Sequence, residues 1–374
     1  MKYYIITGEA SGDLHASNLA RYLQKYDSEA RIRAWGGELL EKQGAEVIKN
    51  YKDLAFMGFV EVALNLKTIM ANIRFCKQDI LLYQPDIVIL VDYPGFNLRI
   101  AKFLSEHKFR VFYYISPQVW AWHSSRVKQI KDYVNEMFVI LPFEKDFYAK
   151  HEMNVHYYGH PLLDAIQNQK IDNNFLALNK LSSLPLIAIL PGSRTQEIKN
   201  MLPIMLQAAS TILEYQFVIA GIENHKHLYQ DICKDNKIHI VYNQTYSLLA
   251  NSYAAMVSSG TATLETALFN VPQVVCYKGN YISYLIAKKL IKNIKYISLV
   301  NLIANKKVVT ELIQNEMNKY MLTRELHRIV YDNDSRKTML NEYLLLQKKL
   351  GNGDASDRIA QKIVDILGTK QLAN

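Results

Sequence analysis

Short apolar segments alternate with longer amphipathic segments along most of the chain. In the first half the apolar segments are rich in Val, Ile and Tyr, and they are Tyr3–Thr7, Ile32–Trp35, Ile87–Val91, Val111–Ile115, Met137–Leu141 and Val155–Tyr158. The segments between them carry apolar residues at helical spacing. This rhythm is typical of βαβ units around a parallel sheet, so it predicts an α/β protein.

The same alternation restarts in the second half, after a polar, Asn-rich stretch from Gln167 to Ser183. The second series of predicted strands is Leu186–Leu190, Phe217–Ala220, His239–Val241, Ala255–Val257 and Gln273–Tyr277, and beyond them the pattern predicts helices almost to the C-terminus. We predict two doubly wound domains, 1–165 and 184–345, and a C-terminal helix in 346–374. Ligands of such sheets bind at the carboxyl ends of the strands, so the loops there are candidate sites in a cleft between the domains.

Composition narrows the class of protein. The chain has 374 residues, of which 49% are hydrophobic and 21% charged, as in globular proteins with room for two cores. Cys76, Cys233 and Cys276 contain no C-x-x-C pair, so the sequence predicts neither a disulfide framework nor a zinc site and fits a reducing cytoplasm. The longest apolar stretch, Leu54–Met70, is interrupted by charged residues, and no signal peptide or membrane span is predicted.

The net charge of +9 favours an anionic partner, namely a nucleotide, a phospholipid surface or nucleic acid. If Phe59–Met70 is helical, apolar residues cover more than half of its circumference, which is wider than a core-facing stripe. Lys278–Lys307 contains seven lysines, no Asp or Glu, and interleaved apolar residues. Both segments are candidate membrane-contacting surfaces. A buried helix and a solvated lysine-rich face are the alternatives.

The loop after the first predicted strand is a candidate anion site. It reads Gly8-Glu9-Ala10-Ser11-Gly12-Asp13 before helical sequence begins, and backbone N–H groups at a helix start favour an anion. It is not G-x-G-x-x-G, and no acidic residue closes the second strand, which disfavours an NAD-dependent oxidoreductase. The alternative is a tight turn in which Ser11 or Asp13 caps the helix.

Asp92 directly follows the entirely apolar strand Ile87–Val91. Partial burial at the mouth of a cleft raises the pKa of a carboxyl group and suits it to general base catalysis, so Asp92 is the leading catalytic candidate. The alternative is that Asp92 caps the next helix or braces the turn at Pro94 and Gly95.

Two loops of the second half are candidate phosphate sites. Gly192, Ser193 and Arg194 follow a predicted strand, and an arginine can hold a phosphate through two parallel hydrogen bonds. Ser259, Gly260 and Thr261 begin a second helix whose N–H groups can bind a diphosphate, while Glu265, one turn later, can accept hydrogen bonds from ribose hydroxyls. For Glu265 the alternative is a capping box.

Nine motifs occur in order along residues 3–315, and their order and spacing resemble the lipid-A-disaccharide synthase family of glycosyltransferases in lipopolysaccharide assembly. They read G-E-A-S-G-D, M-G-F-V-E-V, V-D-Y-P-G-F-N, S-P-Q-V-W-A-W, L-P-F-E-K-D-F-Y, G-H-P-L, L-P-G-S-R, S-S-G-T-A-T-L-E and I-S-L-V-N-L-I-A. The resemblance implies a GT-B fold, in which two Rossmann-like domains face each other across a cleft and the C-terminal helices cross back to the N-terminal domain.

The resemblance also implies a reaction and roles for residues. UDP-2,3-diacylglucosamine would donate its sugar, with inversion, to the 6-hydroxyl of 2,3-diacylglucosamine 1-phosphate, giving the β-1,6 disaccharide and UDP. Asp92 would be the base, and Arg194 with the helix start at Ser259–Thr261 would stabilise the departing UDP without a metal. Glu265 would hold the ribose and Asn301 would lie near the donor. The remaining predicted residues, which would line the opposite side of the cleft, are Gly8, Ser11, Gly12 and Asp13.

The implied protein is cytoplasmic and peripherally bound to the inner membrane through Phe59–Met70 and Lys278–Lys307. The resemblance implies no cofactor and no nucleic acid partner, and it leaves the oligomeric state open, a homodimer included. The competing interpretation is another GT-B enzyme of UDP-sugars, either a transferase acting on a polyprenyl-linked acceptor or a UDP-sugar epimerase.

Overall fold

A computed structural model describes residues 1–54, 66–122, 126–169, 171–172, 174–234, 238–279 and 295–371. The chain forms two compact units. One contains Met1–Gln167 together with the chain from Leu350 onward, and the other contains Asn168–Lys349. Each unit has a fully parallel sheet with helices packed against it, which confirms the predicted α/β class.

The first unit is built on a seven-stranded parallel sheet of order β3-β2-β1-β4-β5-β6-β7. The strands are β1 (Lys2–Ile6), β2 (Arg31–Gly36), β3 (Glu46–Asn50), β4 (Ile87–Val91), β5 (Val111–Tyr114), β6 (Glu136–Val139) and β7 (His156–Tyr157). Tyr4 and Ile6 enter the core on one face of this sheet, and Tyr3 and Ile5 enter the core on the other. Alternate side chains of a central strand therefore supply two cores, as burial on both faces requires.

Helices cover both faces of the first sheet. They are α1 (Ala10–Tyr26), α2 (Glu38–Lys42), α3 (Leu66–Tyr83), α4 (Pro94–Glu106), α5 (Val119–Trp122), α6 (Arg126–Tyr133), α7 (Glu144–Ala149), α8 (Pro161–Gln167) and the last helix, α17 (Ala355–Gln371). The chain thus returns to the first unit at its end. Ile359 and Ile363 of α17 enter the same core as α1, and the Asp164 carboxylate accepts the N–H groups of Ala355 and Ser356 at its start.

The second unit has a six-stranded parallel sheet of order β10-β9-β8-β11-β12-β13. The strands are β8 (Leu186–Leu190), β9 (Gln216–Gly221), β10 (His239–Tyr242), β11 (Ser252–Ser258), β12 (Gln273–Tyr277) and β13 (Thr310–Ile313). The helices are α9 (Phe175–Leu178), α10 (Thr195–Ala209), α11 (Lys226–Cys233), α12 (Thr245–Ala250), α13 (Thr261–Leu268), α14 (Leu299–Ala304), α15 (Lys319–Tyr331) and α16 (Asn333–Leu350).

In both sheets the first strand of the unit lies in the interior of the sheet. β1 pairs with β2 on one side and β4 on the other, and β8 pairs with β9 and β11 in the same way. The strand order reverses at these positions, and such switch points leave a crevice at the carboxyl ends of the strands. The loops after β1 and β4, and those after β8 and β11, are therefore the positions where each unit can bind a ligand.

Two edge strands differ from the sequence-based prediction. β3 has only two apolar residues, Val47 and Ile48, and is half-buried, so it lacks the apolar run of a central strand. β13 lies where the pattern predicts continuous helix, and only alternate residues, Thr310 and Leu312, are buried. A short edge strand buries little surface, which leaves a weak signal in the sequence.

Candidate active site

Asp92 lies at the carboxyl end of β4 in an unusual backbone conformation. The φ angles of Asp92 and Tyr93 are 46° and 47°, so two consecutive residues with side chains adopt the left-handed region. Each such residue costs roughly 1–2 kcal/mol relative to an ordinary conformation. Tyr93, rather than Asp92, occupies the N-cap position of α4. The structure therefore contradicts the alternative in which Asp92 caps that helix. Backbone strain of this kind is typical of functional sites.

The surroundings of Asp92 favour the protonated carboxyl group. Burial and, to a smaller extent, the nearby carboxylate of Glu9 raise its pKa to about 7, although a hydrogen bond from the backbone of Tyr93 acts in the opposite direction. The side chain is half-buried, so one side stays open to solvent. A carboxyl group with a pKa near neutrality can take up a proton from a hydroxyl group at physiological pH.

Two side chains that the sequence analysis missed hold the Asp92 turn. The Tyr113 hydroxyl donates to the carbonyl oxygen of Asp92 at 2.6 Å, and Nδ2 of Asn97 donates to the same oxygen at 2.8 Å. Asn97 is fully buried and also donates to the carbonyl of Val91 at 3.2 Å. A buried polar side chain needs a hydrogen-bond partner, so an asparagine on the inner face of α4 indicates a buried hydrogen bond. The sequence alone does not identify the partner.

The loop after β1 packs directly against the Asp92 turn. A Cβ atom at Gly8 would overlap the ring of Tyr93, and one at Gly12 would overlap the Thr7 hydroxyl. Both glycines are buried. The structure therefore brings the predicted residues Gly8, Gly12 and Asp92 together at the edge of the first sheet that is formed by the carboxyl ends of its strands.

Asp13 differs from its prediction as a ligand-facing residue. Helix α1 begins at Ala10, so Asp13 lies inside the helix, and neither it nor the half-buried Ser11 caps the N-terminus. The Asp13 side chain is only 1% exposed, and its carboxylate accepts the N–H groups of Gly37 at 2.7 Å and Leu39 at 3.1 Å. Burial raises its pKa, and these hydrogen bonds lower it. Asp13 thus caps α2 from a neighbouring helix.

The first candidate phosphate loop of the second unit already holds an anion of the chain itself. Gly192 has a φ of 109°, and Arg194, whose side chain is 55% exposed, stands at the N-cap of α10. Oε2 of Glu197 accepts the N–H groups of Ser193 at 3.1 Å and Arg194 at 3.4 Å, while Oε1 lies 3.4 Å from the Arg194 guanidinium. A ligand phosphate seeking these donors has to displace the Glu197 carboxylate. Glu197 is absent from the sequence-based prediction, although a glutamate three positions after an N-cap is a recognised signal of helix capping.

The second candidate phosphate loop lies beside the first. β8 and β11 are paired, with Leu190 opposite Val257, and the Ser258 hydroxyl is 3.1 Å from the position that a Cβ atom would take at Gly192. Gly260, with a φ of 155°, stands at the N-cap of α13 in open space, and Thr261 is exposed. Ser259 is half-buried. The structure therefore brings Gly192–Arg194 and Ser259–Thr261 to the same edge of the second sheet.

Glu265 is held by a tyrosine that the sequence analysis missed. The Tyr246 hydroxyl donates to Oε1 of Glu265 at 2.9 Å, and the Tyr246 ring packs against Phe269 with 5.5 Å between centroids. Burial raises the pKa of Glu265, and the hydrogen bond from Tyr246 lowers it. No side chain caps α13 at Gly260, so a capping box does not describe this glutamate.

Asn301, which the resemblance places near the donor, is hydrogen-bonded within the second unit. It is fully buried, its amide nitrogen donates to the Val309 carbonyl and to Glu311, and its amide oxygen accepts the N–H groups of Val308 and Val309. All four hydrogen-bonding positions of the side chain are occupied within the protein. Its link to the candidate site is indirect, because Glu311 also binds the N–H of Ile297, whose carbonyl accepts the Ser259 hydroxyl at 3.3 Å.

Most of the two predicted membrane-contacting segments lies outside the described residues, namely 59–65 and 280–294. Of the first segment, Leu66 and Met70 are described, and both are about half exposed at the start of α3. Of the second, Lys306 forms an ion pair with Glu342 at 2.7 Å. Within the described ranges, no helix is long and apolar enough to cross a membrane, and no group of His, Cys, Asp and Glu side chains could hold a metal ion.

Solved structures with the same architecture identify the class of fold. The S. aureus MnaA–UDP co-structure has a TM-score of 0.69 at 14% sequence identity and covers 98% of this chain and 97% of that chain. The glycotransferase of kitacinnamycin has a TM-score of 0.67 at 12% identity and covers 98% of this chain and 99% of that chain. The protein therefore has the GT-B fold shared by glycosyltransferases and UDP-sugar epimerases.

Sequence relatives identify the family within this class. The family model of lipid-A-disaccharide synthetase matches residues 3–364. The lipid-A-disaccharide synthase of Syntrophus aciditrophicus is 39% identical over 365 residues, which is 95% of each chain. That of Nitrosococcus oceani is 36% identical over 380 residues and covers 98% of this chain and 97% of the relative. The chain belongs to the lipid-A-disaccharide synthase family of glycosyltransferases, which act on precursors of lipid A, and the epimerase interpretation is not favoured.

The contact between Gly8 and Tyr93 predicts the effect of a one-methyl change. Gly8→Ala should lower the midpoint of thermal unfolding by about 2–8 °C, because the new methyl group overlaps the half-buried ring of Tyr93. It should also lower turnover, since the displaced ring belongs to the Asp92 turn. Circular dichroism and a turnover assay measure both effects.

Gly95→Ala, at the second residue of α4, is the matched control, since a Cβ atom there meets nothing within 4 Å. We expect its stability to stay at the wild-type level or to rise by up to about 1 kcal/mol, because alanine favours a helix more than glycine does. Equal destabilisation by the two substitutions would contradict the proposed overlap at Gly8. Combining Gly8→Ala with Tyr93→Ala should restore part of the lost stability.

Proposed function

We propose that the protein joins UDP-2,3-diacylglucosamine to 2,3-diacylglucosamine 1-phosphate. The 6-hydroxyl oxygen of the acceptor attacks C1 of the donor sugar, the bond from C1 to the UDP oxygen breaks, and the hydroxyl proton passes to Asp92. The products are the β-1,6-linked disaccharide 1-phosphate and UDP, with inversion at C1. Family membership supports the lipid A precursors as substrates, and the residues support the individual steps.

The observation that carries the mechanism is the state of Asp92. It is a half-buried carboxyl group at the switch point of the first sheet, and burial raises its pKa to about 7. A general base works best when its pKa lies near the working pH, because it is then ionised yet basic enough to take a proton. Asp13, the other aspartate near this edge, already accepts backbone N–H groups and is closed off from solvent.

The donor site in this proposal is the edge of the second sheet at β8 and β11. Arg194 and the N–H groups of Ser193 and of the α13 start bind the diphosphate and stabilise the charge that develops as UDP departs, which is electrostatic preorganisation. Glu265 accepts hydrogen bonds from the ribose through the carboxylate oxygen that Tyr246 does not use. In the first unit, Gly8 and Ser11 belong to the loop after β1, which forms part of the acceptor side in this proposal.

Replacing the base should stop turnover and leave donor binding intact. Asp92→Asn should lower the rate of acceptor-dependent UDP release by about 100-fold or more, because the amide cannot accept the proton. UDP affinity should stay within two-fold of wild type. The assay is UDP release in detergent, with and without the acceptor. Turnover of the wild-type enzyme should persist in EDTA.

The pH dependence of the wild-type enzyme follows from the same group. Above pH 7 the Asp92 carboxyl group is ionised and active, and below pH 7 it is increasingly protonated, so the rate should fall about ten-fold per pH unit.

The matched control for Asp92→Asn is Asp86→Asn, which changes an exposed aspartate at the opposite end of β4 and should behave as wild type. A wild-type rate in Asp92→Asn would reject Asp92 as the base.

Two substitutions separate the parts of the donor site. Arg194→Ala should weaken UDP binding about ten-fold and leave uridine binding unchanged, because the guanidinium meets only the diphosphate. Glu265→Ala should weaken the binding of both ligands, because the ribose is common to them. Isothermal titration calorimetry measures each affinity, and Lys199→Ala, which removes an exposed cation from the same helix as Arg194, is the control. Wild-type affinity in both variants would reject this donor site.

We further propose that the protein works at the cytoplasmic face of the inner membrane through the start of α3. Leu66 and Met70 are one turn apart and exposed, and the cations Lys67 and Arg74 lie exposed on the same helix. Apolar and basic side chains together suit a surface of anionic lipid.

The double substitution Leu66→Ser and Met70→Ser should lower binding to phosphatidylglycerol-containing vesicles about ten-fold, because it removes apolar side chains that enter the interface. Vesicle sedimentation measures the bound fraction. Leu213→Ser removes a still more exposed leucine from the second unit and should leave binding unchanged. Unchanged sedimentation of the double variant would reject this surface.

A further inference from the structure

Strand β5 holds both peptide groups that flank the Cα atom of Asp92. The N–H of Asp92 donates to the carbonyl oxygen of Tyr114 at 3.0 Å, and the carbonyl of Asp92 accepts the Tyr113 hydroxyl at 2.6 Å. The first contact continues the parallel ladder in which Val91 stands opposite Tyr114. The second comes from a side chain. Because φ and ψ describe the rotation of these two peptide groups, fixing both determines the direction of the Asp92 side chain.

The backbone at Asp92 needs such restraint. Asp92 and Tyr93 are both in the left-handed region, which residues with a Cβ atom adopt only when their surroundings hold them there. The carbonyl oxygen of Asp92 has two lone pairs, and Tyr113 and Asn97 each donate to it. If one donor is lost, the peptide between residues 92 and 93 can rotate towards an ordinary conformation, and the carboxyl group moves with it.

Packing in the core accounts for the buried ring of Tyr113 but not for its hydroxyl group. The ring is fully buried in the core on the α4 side of the sheet, where a phenylalanine would fill the same volume. Burying a hydroxyl group costs free energy unless it forms a hydrogen bond, and this one bonds to the turn that carries Asp92. The next residue, Tyr114, is equally buried, but its ring enters the core on the opposite face.

We propose that Tyr113 is a positioning residue for Asp92, and that its hydroxyl group holds the strained turn in the conformation that aims the carboxylate at the acceptor hydroxyl. This inference rests on the proposed role of Asp92 as the base. Tyr113 itself touches neither substrate in this proposal and takes no proton.

The test compares Tyr113→Phe with Tyr114→Phe. Each removes one hydroxyl group from a fully buried tyrosine of the same strand, but only the first removes a donor to the Asp92 carbonyl. We expect Tyr113→Phe to lower kcat about ten-fold or more, since small displacements of a catalytic group are costly. KM for both substrates and the Kd for UDP should stay within two-fold of wild type, because ground-state binding does not use Asp92. Tyr114→Phe should keep kcat within two-fold.

The outcomes are distinguishable from those that test the base itself. If Asp92→Asn is inactive and Tyr113→Phe matches Tyr114→Phe in kcat, the positioning role is overturned and the base assignment stands. A rise in KM at unchanged kcat in Tyr113→Phe also overturns it, since that result indicates substrate binding. If Asp92→Asn turns over at the wild-type rate, both proposals fail. Thermal unfolding of the two phenylalanine variants, measured in parallel, should show one cooperative transition well above the assay temperature in each, which excludes a general loss of structure as the cause of a lower kcat.

Discussion

The candidate sites of both units depend on one constraint, which is the interior position of the first strand in each parallel sheet. β1 and β8 are buried on both faces and need a hydrogen-bonded neighbour on each side, so the chain must wind first one way and then the other. The loops that leave the reversal point diverge towards opposite faces of the sheet and leave backbone N–H groups and side chains accessible between them. The same geometry occurs in both units, and it places Asp92 at a strand end of the first unit and the loops at Gly192–Arg194 and Ser259–Thr261 at strand ends of the second.

Two aspartates at the first of these edges show how surroundings divide the roles of like side chains. Asp13 is almost completely buried, and three backbone N–H groups of the α2 start lie within hydrogen-bonding distance of its carboxylate. Burial and the neighbouring carboxylate of Glu9 together raise the pKa of Asp92 to about 7. Satisfied hydrogen bonds make the first a brace for the fold, whereas incomplete compensation leaves the second ready to exchange a proton.

The parts that could be predicted from sequence are those with a local signal. Three strands, Ile87–Val91, Leu186–Leu190 and Gln273–Tyr277, were predicted to the residue, because an unbroken apolar run marks a strand buried on both faces. Strand ends also predicted the positions of Asp92 and Arg194. Sequence could not indicate that Tyr113 reaches Asp92, or that Tyr246 reaches Glu265, because these contacts join different elements across the fold. For Asp13 and Asn301 the residue type suits both a ligand and a structural partner, and only burial separates the two.

The carboxylate of Glu197 has a consequence for selectivity. An anion tethered three and four residues from its donors is present at an effective concentration of the order of millimolar or more, so it competes continuously for the start of α10. Free inorganic phosphate competes for these donors with its charge and its oxygen acceptors alone. In the proposed donor site, a diphosphate attached to a nucleoside would gain further contacts along the same edge and so displace the tethered group. Competition from the chain itself would then favour nucleotides over small anions at the start of α10.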